Sequence, residues 1–409
     1  MSCKVAGIDV HKKVLMVVVT DSAAEELVFE ARRFGTTWSE LKHLTAWLME
    51  RGVEEVVMES TAQYWKPVWF ELEPHFRLHL AQAHSNRAPK GRKHDFADSK
   101  RLLRRLLAGE LLLSFVPEPE QRTWRTLTRG KQQLIQDRVR LQNQLECLLE
   151  EARIKLSSVI TDLLGVSGRR ILKAIAEGET DPVKLAGLGN ERLRATKAEL
   201  IDALTGRVEL VHRQMLTLYL ERLALLDQQI EMLDQMTAQA LRAHQQAVIR
   251  LAEVPGLGVD SGQQIVAEVG AEAQAFASAA QFASWVGTCP GKEESAGNNQ
   301  SGRSPKGNRF LRRLFSQAAH AAVKKKNSHF QTVFRRLLPR LGYQSAIWAI
   351  AHRLSRLVWK ILHHGVHYIE QGAATTAQAQ SRRARKMVQT LRKLGYQVEF
   401  PAHPVPSLL

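Results

Sequence analysis

Lys4-Val5-Ala6-Gly7-Ile8-Asp9-Val10, His11-Lys12-Lys13 and Val14-Leu15-Met16-Val17-Val18-Val19-Thr20 set the architecture of the N-terminal part. Two β-branched runs split by three polar residues predict paired antiparallel strands. A third run, Glu26–Phe34, follows the break at Asp21-Ser22 and extends the meander. Trp38, Leu41, Leu44, Trp47 and Leu48 then repeat with helical spacing, so a helix is expected over Ser39–Glu50 with Thr37 as its N-cap. A strand at Glu55–Glu59, a helix near Tyr64–Leu72 and a strand at Arg77–Ala81 complete the pattern. Three strands followed by alternating helices and strands predict a mixed sheet with helices packed on it, an α/β domain over 1–115.

Residues 116–250 read as almost wholly helical. Leu141, Leu145, Leu148 and Ala152 form one apolar seam; Leu216, Leu220, Leu223, Leu226, Ile230, Leu233 and Met236 form another. Such seams suit an antiparallel hairpin or coiled-coil dimer arm, and equally two helices of an ordinary bundle. Residues 251–370 are expected to form a mainly α-helical basic domain. A linker, a basic helix and a Pro-rich end fill 371–409.

The chain has 409 residues and a formal net charge of +17, and the charge is uneven. Ser295 to Ile369 holds 14 Lys and Arg and no Asp or Glu, whereas residues 1–294 hold 38 basic and 39 acidic residues. A long segment without a carboxylate suits a polyanion, with nucleic acid the leading candidate. Three scattered cysteines, Cys3, Cys147 and Cys289, exclude a disulfide framework and give no zinc pattern. No apolar run reaches the length of a membrane span, and the N-terminus lacks a signal-peptide shape. A soluble, reducing, cytoplasmic setting is expected.

Asp9 and Glu59 each end a strand-forming run, where an acid is costly unless solvated, paired or metal-bound. Asp95 and Asp98 stand at i, i+3, which on a helix points both carboxylates to one face. Taken singly, each acid reads better as a strand-end surface acid or a helix-terminus acid than as a ligand. Taken together they form a hard oxygen set suited to Mg²⁺ or Mn²⁺ and to phosphoryl transfer.

Ser295 lies in a turn-rich segment, Pro290–Gly307, read as a long loop leading into a helix. A serine hydroxyl is a weak nucleophile that needs a base or metal to take its proton. Arg303, Lys306, Arg309, Arg312 and Arg313 follow closely and suit a phosphate clamp. The alternative is a solvated loop without chemistry. Val254-Pro255-Gly256-Leu257-Gly258 resembles the hairpin of a helix–hairpin–helix element, with the Gly256 and Gly258 amides available to a phosphate. It also reads as a simple packing turn. Lys324-Lys325-Lys326 is a charge run suited to phosphate contact or to solvent. His363, His364 and His367 are taken as partly buried or nucleic-acid-facing, since no carboxylate or cysteine accompanies them.

Gly7-Ile8-Asp9-Val10-His11-Lys12, Glu59-Ser60-Thr61, Asp95-x-x-Asp98 and Pro290-Gly-x-x-x-Ser295-Ala-Gly with Lys306-Gly-Asn-x-x-Leu311-Arg312 together resemble the DEDD transposases of the insertion sequence 110 family. The resemblance covers about residues 4–369. It implies a RuvC-like RNase H fold for the first domain, with Mg²⁺ on Asp9, Glu59, Asp95 and Asp98. It implies a helical coiled-coil region, then a transposase domain in which Ser295 is the nucleophile. It further implies a non-coding guide RNA (a bridge RNA) pairing with donor and target DNA, and a homo-oligomer, dimer or tetramer, with composite sites. His94 departs from the more usual Thr, and Ser99 from a common Ala. Ser301, also before a glycine, is a rival to Ser295. Two other functions fit the residues less fully: a junction-resolving nuclease using water on the same acids, and a non-catalytic nucleic-acid-binding protein.

Overall fold

The computed structural model describes residues 4–24, 26–60, 62–82, 96–191, 193–291 and 304–370, the backbone of 293–295 and 298–301, and the isolated positions 372, 385, 388, 389 and 392. The chain forms two compact units, Met1–Glu118 and Pro119–Leu409.

In the first unit, β1 (Lys4–Val10), β2 (Val14–Asp21) and β3 (Glu30–Gly35) form the expected antiparallel meander. The third strand starts later than its sequence run suggests. After α1 (Trp38–Glu50), β4 (Val53–Glu59) returns parallel to β1; after α2 (Trp65–Leu72), β5 (Arg77–Ala81) pairs parallel to β4. Following α3 (Ala97–Leu107), a two-residue strand β6 (Leu113–Ser114) closes the sheet, giving the order β3-β2-β1-β4-β5-β6.

Strand alternation sends side chains to two faces. Ala6, Ile8, Val10, Leu15 and Val17 meet Leu41, Leu44, Trp47 and Leu48 of α1 and Val68 and Leu72 of α2. Trp38 departs from the expected face. It stands in the first turn, 72% exposed, under the Lys42 ammonium. The opposite sheet face takes α3: Val5 and Val18 pack on Leu103, and Val57 and Ala81 on Leu102. Contact there is close because residue 7 is glycine. A Cβ on Gly7 would lie 2.7 Å from the Ser99 carbonyl oxygen.

In the second unit, α4 (Pro119–Glu151) and α9 (Leu210–Ala240) run antiparallel, as the pairs Lys131–Asp234 and Arg138–Asp227 require. Between them in sequence lie α5 (Leu156–Val159), α6 (Val166–Glu177), α7 (Pro182–Gly187) and α8 (Lys197–Leu204). Leu141, Leu145, Leu148, Leu216, Leu223 and Leu226 are buried in one cluster with Ile171 and Ile175 of α6, Leu185 of α7 and Leu200 of α8. Much of both predicted seams is therefore covered within one chain, as in a bundle. Another stripe on α9 faces outward: Val211, Leu218, Leu225 and Met232, spaced by seven, are each more than half exposed.

A third cluster gathers α10 (Gln245–Ala252), α11 (Val259–Val269), α12 (Ala279–Val286), α13 (Arg309–Ala322) and α14 (His329–His364). Trp124, near the start of α4, is part of it. Between α12 and α13 runs a short hairpin of β7 (Glu293–Ser295) and β8 (Asn298–Ser301), where the sequence had suggested a loop. α14 bends at Gly342, which follows Pro339 by one turn. Among the described residues no helix is long and apolar enough to cross a membrane.

Candidate functional site

Parallel pairing of β1 with β4 brings two acids side by side. Ile8 aligns with Met58, so Asp9 and Glu59 follow at the carboxyl ends of adjacent strands. Alternation places both on the face that carries α3, two residues beyond Gly7 and Val57. Asp98 stands in the first turn of α3 over that face, where the helix dipole favours a carboxylate. The Ser99 hydroxyl, buried, donates to the Met16 carbonyl at 2.7 Å, and Met16 pairs with Asp9 across the β1–β2 ladder. That bond pins the start of α3 opposite Asp9 and gives Ser99 a structural role.

Burial pushes the Asp9 carboxyl above its ordinary value, His11 pulls it down, and the Asp98 charge raises it again. His11 Nε2 lies 3.1 Å from Asp9 Oδ2, and Arg101 Nη1 lies 2.8 Å from Asp98 Oδ1. Glu59 is half-buried. Asp95 lies outside the described residues. α3 begins at Ala97, and Phe96 at its N-cap is left-handed, with φ 69°. Among the described residues no group of three or more His, Cys, Asp or Glu is arranged to hold a metal. What is present is an oxygen donor set with a repelling carboxylate pair, which fits a hard divalent cation.

Ser295 closes β7 beside the hairpin turn, its backbone opposite Asn298, while Ser301 lies opposite Glu293 at the hairpin base. The side chains of both, and all of Arg303, lie outside the described residues. Past the hairpin, Gly307 is left-handed, with φ 54°, and a Cβ there would lie 2.3 Å from the Val286 carbonyl oxygen. Asn308 then caps α13, accepting from the Phe310 and Leu311 amides at 2.9 and 3.1 Å.

The cations near the serine divide. Lys306 and Arg309 are exposed. Arg312 is engaged by the protein itself. It donates to the Gly287 carbonyl at 2.6 Å, to Ser304 Oγ at 2.9 Å and to the Pro305 carbonyl, with its guanidinium over the Trp348 ring. It holds the hairpin's C-terminal flank to the end of α12 and is not a free phosphate clamp. Arg313 is partly buried and donates to Gln264 and Gln317. Burial pulls its guanidinium down and Asp260 opposes this.

Gly256 is left-handed, with φ 88°, and a Cβ on it would lie 2.2 Å from the Ala318 carbonyl oxygen. The hairpin between α10 and α11 thus packs on α13 at Gly256, and only the Gly258 side is open. Lys324, Lys325 and Lys326 are exposed just beyond the C-terminus of α13, where the dipole favours cations. The three histidines are exposed rather than partly buried. His363 stacks on Trp359 at 4.5 Å, and His367 Nδ1 lies 2.7 Å from Glu253 Oε1.

Sequence reasoning missed Glu268. Its carboxylate, 2% exposed, takes Arg129 Nε at 2.7 Å and Arg129 Nη2 at 2.9 Å, and accepts from Asn308 Nδ2 at 2.9 Å. Arg125 Nε lies 3.7 Å away. Burial pulls Arg125 down to about 10, with Glu268 opposing. This network ties α4, α11 and the cap of α13 together. The signal available was an acid between Ala267 and Val269, in the apolar last turns of α11.

Residues 6–154 match a family model of the DEDD IS110 type described as "Transposase", and residues 249–335 match one described as "Transposase IS116/IS110/IS902 family". The "Probable family 20 transposase" of Pseudomonas aeruginosa is 27% identical over 315 residues, 75% of this chain and 83% of that protein. A Sinorhizobium fredii protein bearing the name transposase y4pF/y4sB is 28% identical over 155 residues, 36% of this chain and 40% of that protein.

Proposed function

The chain belongs to the IS110 family of transposases, enzymes that cleave and rejoin DNA, and from that premise we propose that it works by serine-mediated phosphoryl transfer. In this reading Asp9, Glu59, Asp95 and Asp98 hold Mg²⁺ or Mn²⁺. The Ser295 hydroxyl attacks a DNA phosphodiester, a serine–phosphate bond forms, and a sugar oxygen leaves. Return of a DNA hydroxyl onto that linkage frees the serine and joins the strands. The bound cation would neutralise charge on the phosphate and ease loss of the hydroxyl proton. The observation that supports this reading is that Asp9 and Glu59 stand near the carboxyl ends of two adjacent parallel strands, with Asp98 in the first turn of the helix packed on that sheet face. Glu293 and Glu294 precede Ser295 on the same strand and no carboxylate follows it up to Ile369; in this reading the metal-bound acids, of this or a second copy, ease loss of the hydroxyl proton.

Ser295→Ala tests it. The variant should bind DNA normally, form no covalent adduct, and lose strand exchange by about a thousandfold or more. Cleavage at the wild-type rate would assign the nucleophile to water.

A non-coding bridge RNA selects donor and target DNA, which the acid-free basic segment supports. Sequencing RNA that stays with the purified protein should return one discrete species, and a random cellular mixture would remove the guide. The working unit is a homo-oligomer with α9 as a coiled-coil contact, supported by the outward stripe Val211, Leu218, Leu225 and Met232. Leu218→Glu with Leu225→Glu should convert the oligomer to monomer in light scattering, without lowering helix content. An unchanged mass would place the contact elsewhere.

A further inference from the structure

A cleft of about 1330 Å³ runs along the second half of α14. One wall carries Arg353, Arg356 and Lys360, at i, i+3 and i+7 of the helix. Helical rise spreads them over about 10 Å. All three are exposed, and among the described residues no carboxylate lines the cleft. Among the described residues none of the three has an ion-pair partner.

The facing side is a strap, His367-Tyr368-Ile369, held at both ends. The Tyr368 amide donates to Glu253 at 3.0 Å, and Glu370 accepts from the His329 amide at 2.9 Å. The Tyr368 ring stacks on Phe330 at 6.5 Å. The cleft therefore alternates cations with aromatic and apolar surface: Trp348, Phe330, Tyr368 and Ile369. Thr288 and Ser304, which flank the serine hairpin on either side, are among the residues that line it.

We propose that this cleft binds a single, unpaired polynucleotide strand and leads it to the serine hairpin. Unpaired cations in a concavity call for an anion. Apolar and aromatic surface beside them calls for exposed bases, which a strand offers and a duplex keeps stacked inside. The chain's own C-terminal tail is a poor electrostatic match for it. Residues 370–409 carry 6 basic and 2 acidic residues, the same sign as the cleft. Burial and the neighbouring Arg356 and Arg353 depress the His352 imidazole, so this lining residue adds no charge at neutral pH. The proposal rests on the recombinase reading but is separable from it, because its test reads binding and needs no adduct.

The test uses the full chain, stripped of RNA at high salt, and fluorescence anisotropy. The probes are a labelled 15-nucleotide DNA, an RNA of the same sequence and a blunt 15-base-pair duplex. Arg353→Gln, Arg356→Gln and Lys360→Gln combined should weaken strand binding by about tenfold or more. The salt dependence should flatten by about 2 in log–log slope, as three lost phosphate contacts require. Duplex affinity should fall by less than about threefold. Ile369→Asp, a 78% exposed change on the strap, should weaken strand binding with all three cations in place. It keeps the test valid if the triple variant melts early. Greater loss with the DNA or with the RNA names the source of the strand, and either supports the proposal. Unchanged strand affinity, or an equal loss for duplex and strand, overturns it.

Discussion

Asp9→Asn is expected to abolish DNA cleavage while leaving the metal-free protein at least as stable as the wild type. Asparagine keeps the shape and one oxygen but removes the charge a divalent cation requires. A loss of about a thousandfold or more corresponds to about 4 kcal/mol of transition-state stabilisation. The stability half follows from the direction of the Asp9 shift. Burial, with the Asp98 charge adding to it, raises this carboxyl in the folded protein. The folded state therefore holds the proton more tightly than the unfolded chain. Its stabilising contribution is full below the ordinary Asp value of about 3.9 and is lost as pH rises through the raised value. At neutral pH an ionised Asp9 is a liability without a cation, and asparagine removes it. Thermal melts in EDTA should show the variant no lower than wild type, and added Mg²⁺ should raise only the wild type. By the same sign, activity should fall on acidification as Asp9 takes up its proton. A variant that cleaves normally, or melts well below wild type in EDTA, contradicts this role.

Glu268→Ala should cost about 3–5 kcal/mol, because it leaves Arg125 and Arg129 without their buried counter-charge. Glu268 is 2% exposed and accepts from α4 and from the cap of α13 at once, so no water-exposed group can replace it. Glu268→Gln keeps an acceptor for one partner and should cost less. Urea unfolding followed by circular dichroism measures both. A Glu268→Ala variant within about 1 kcal/mol of wild type would show that the guanidinium groups find other partners, and the network would lose its structural role.

The sheet was legible because its residues state their preference locally. Val14–Val19 can hardly be anything but strand, and Leu41, Leu44 and Leu48 draw the buried face of α1 directly. The strand positions of Asp9 and Glu59 were legible for the same reason: Ile8, Val10, Val57 and Met58 beside them are buried. What escaped depended on the chain meeting itself. The start of α3 is set by Phe96 in a left-handed conformation, which residue spacing does not encode. Arg312 read as a phosphate clamp from its place in the sequence, yet its partners are the Gly287 and Pro305 carbonyls. Gly256 read as an open amide donor, yet its missing side chain makes room for α13. Glu268 drew no attention because Arg129 lies 139 residues before it. The cleft on α14 was hidden because its cations are separated by buried residues such as Leu354, Ser355 and Val358.

Under the proposed mechanism the Ser295 hydroxyl attacks a DNA phosphodiester, and Asp9, Glu59, Asp95 and Asp98 hold the cation that meets its charge. Mapping the covalent linkage tests it most directly. Wild-type protein is incubated with Mg²⁺ and its DNA, quenched, digested with nuclease and protease, and read by tandem mass spectrometry. A nucleotide should be found on Ser295 in wild type and be absent after Asp9→Asn or with EDTA. Cleaved DNA with no modified peptide, or a nucleotide on Ser301 in place of Ser295, would contradict it.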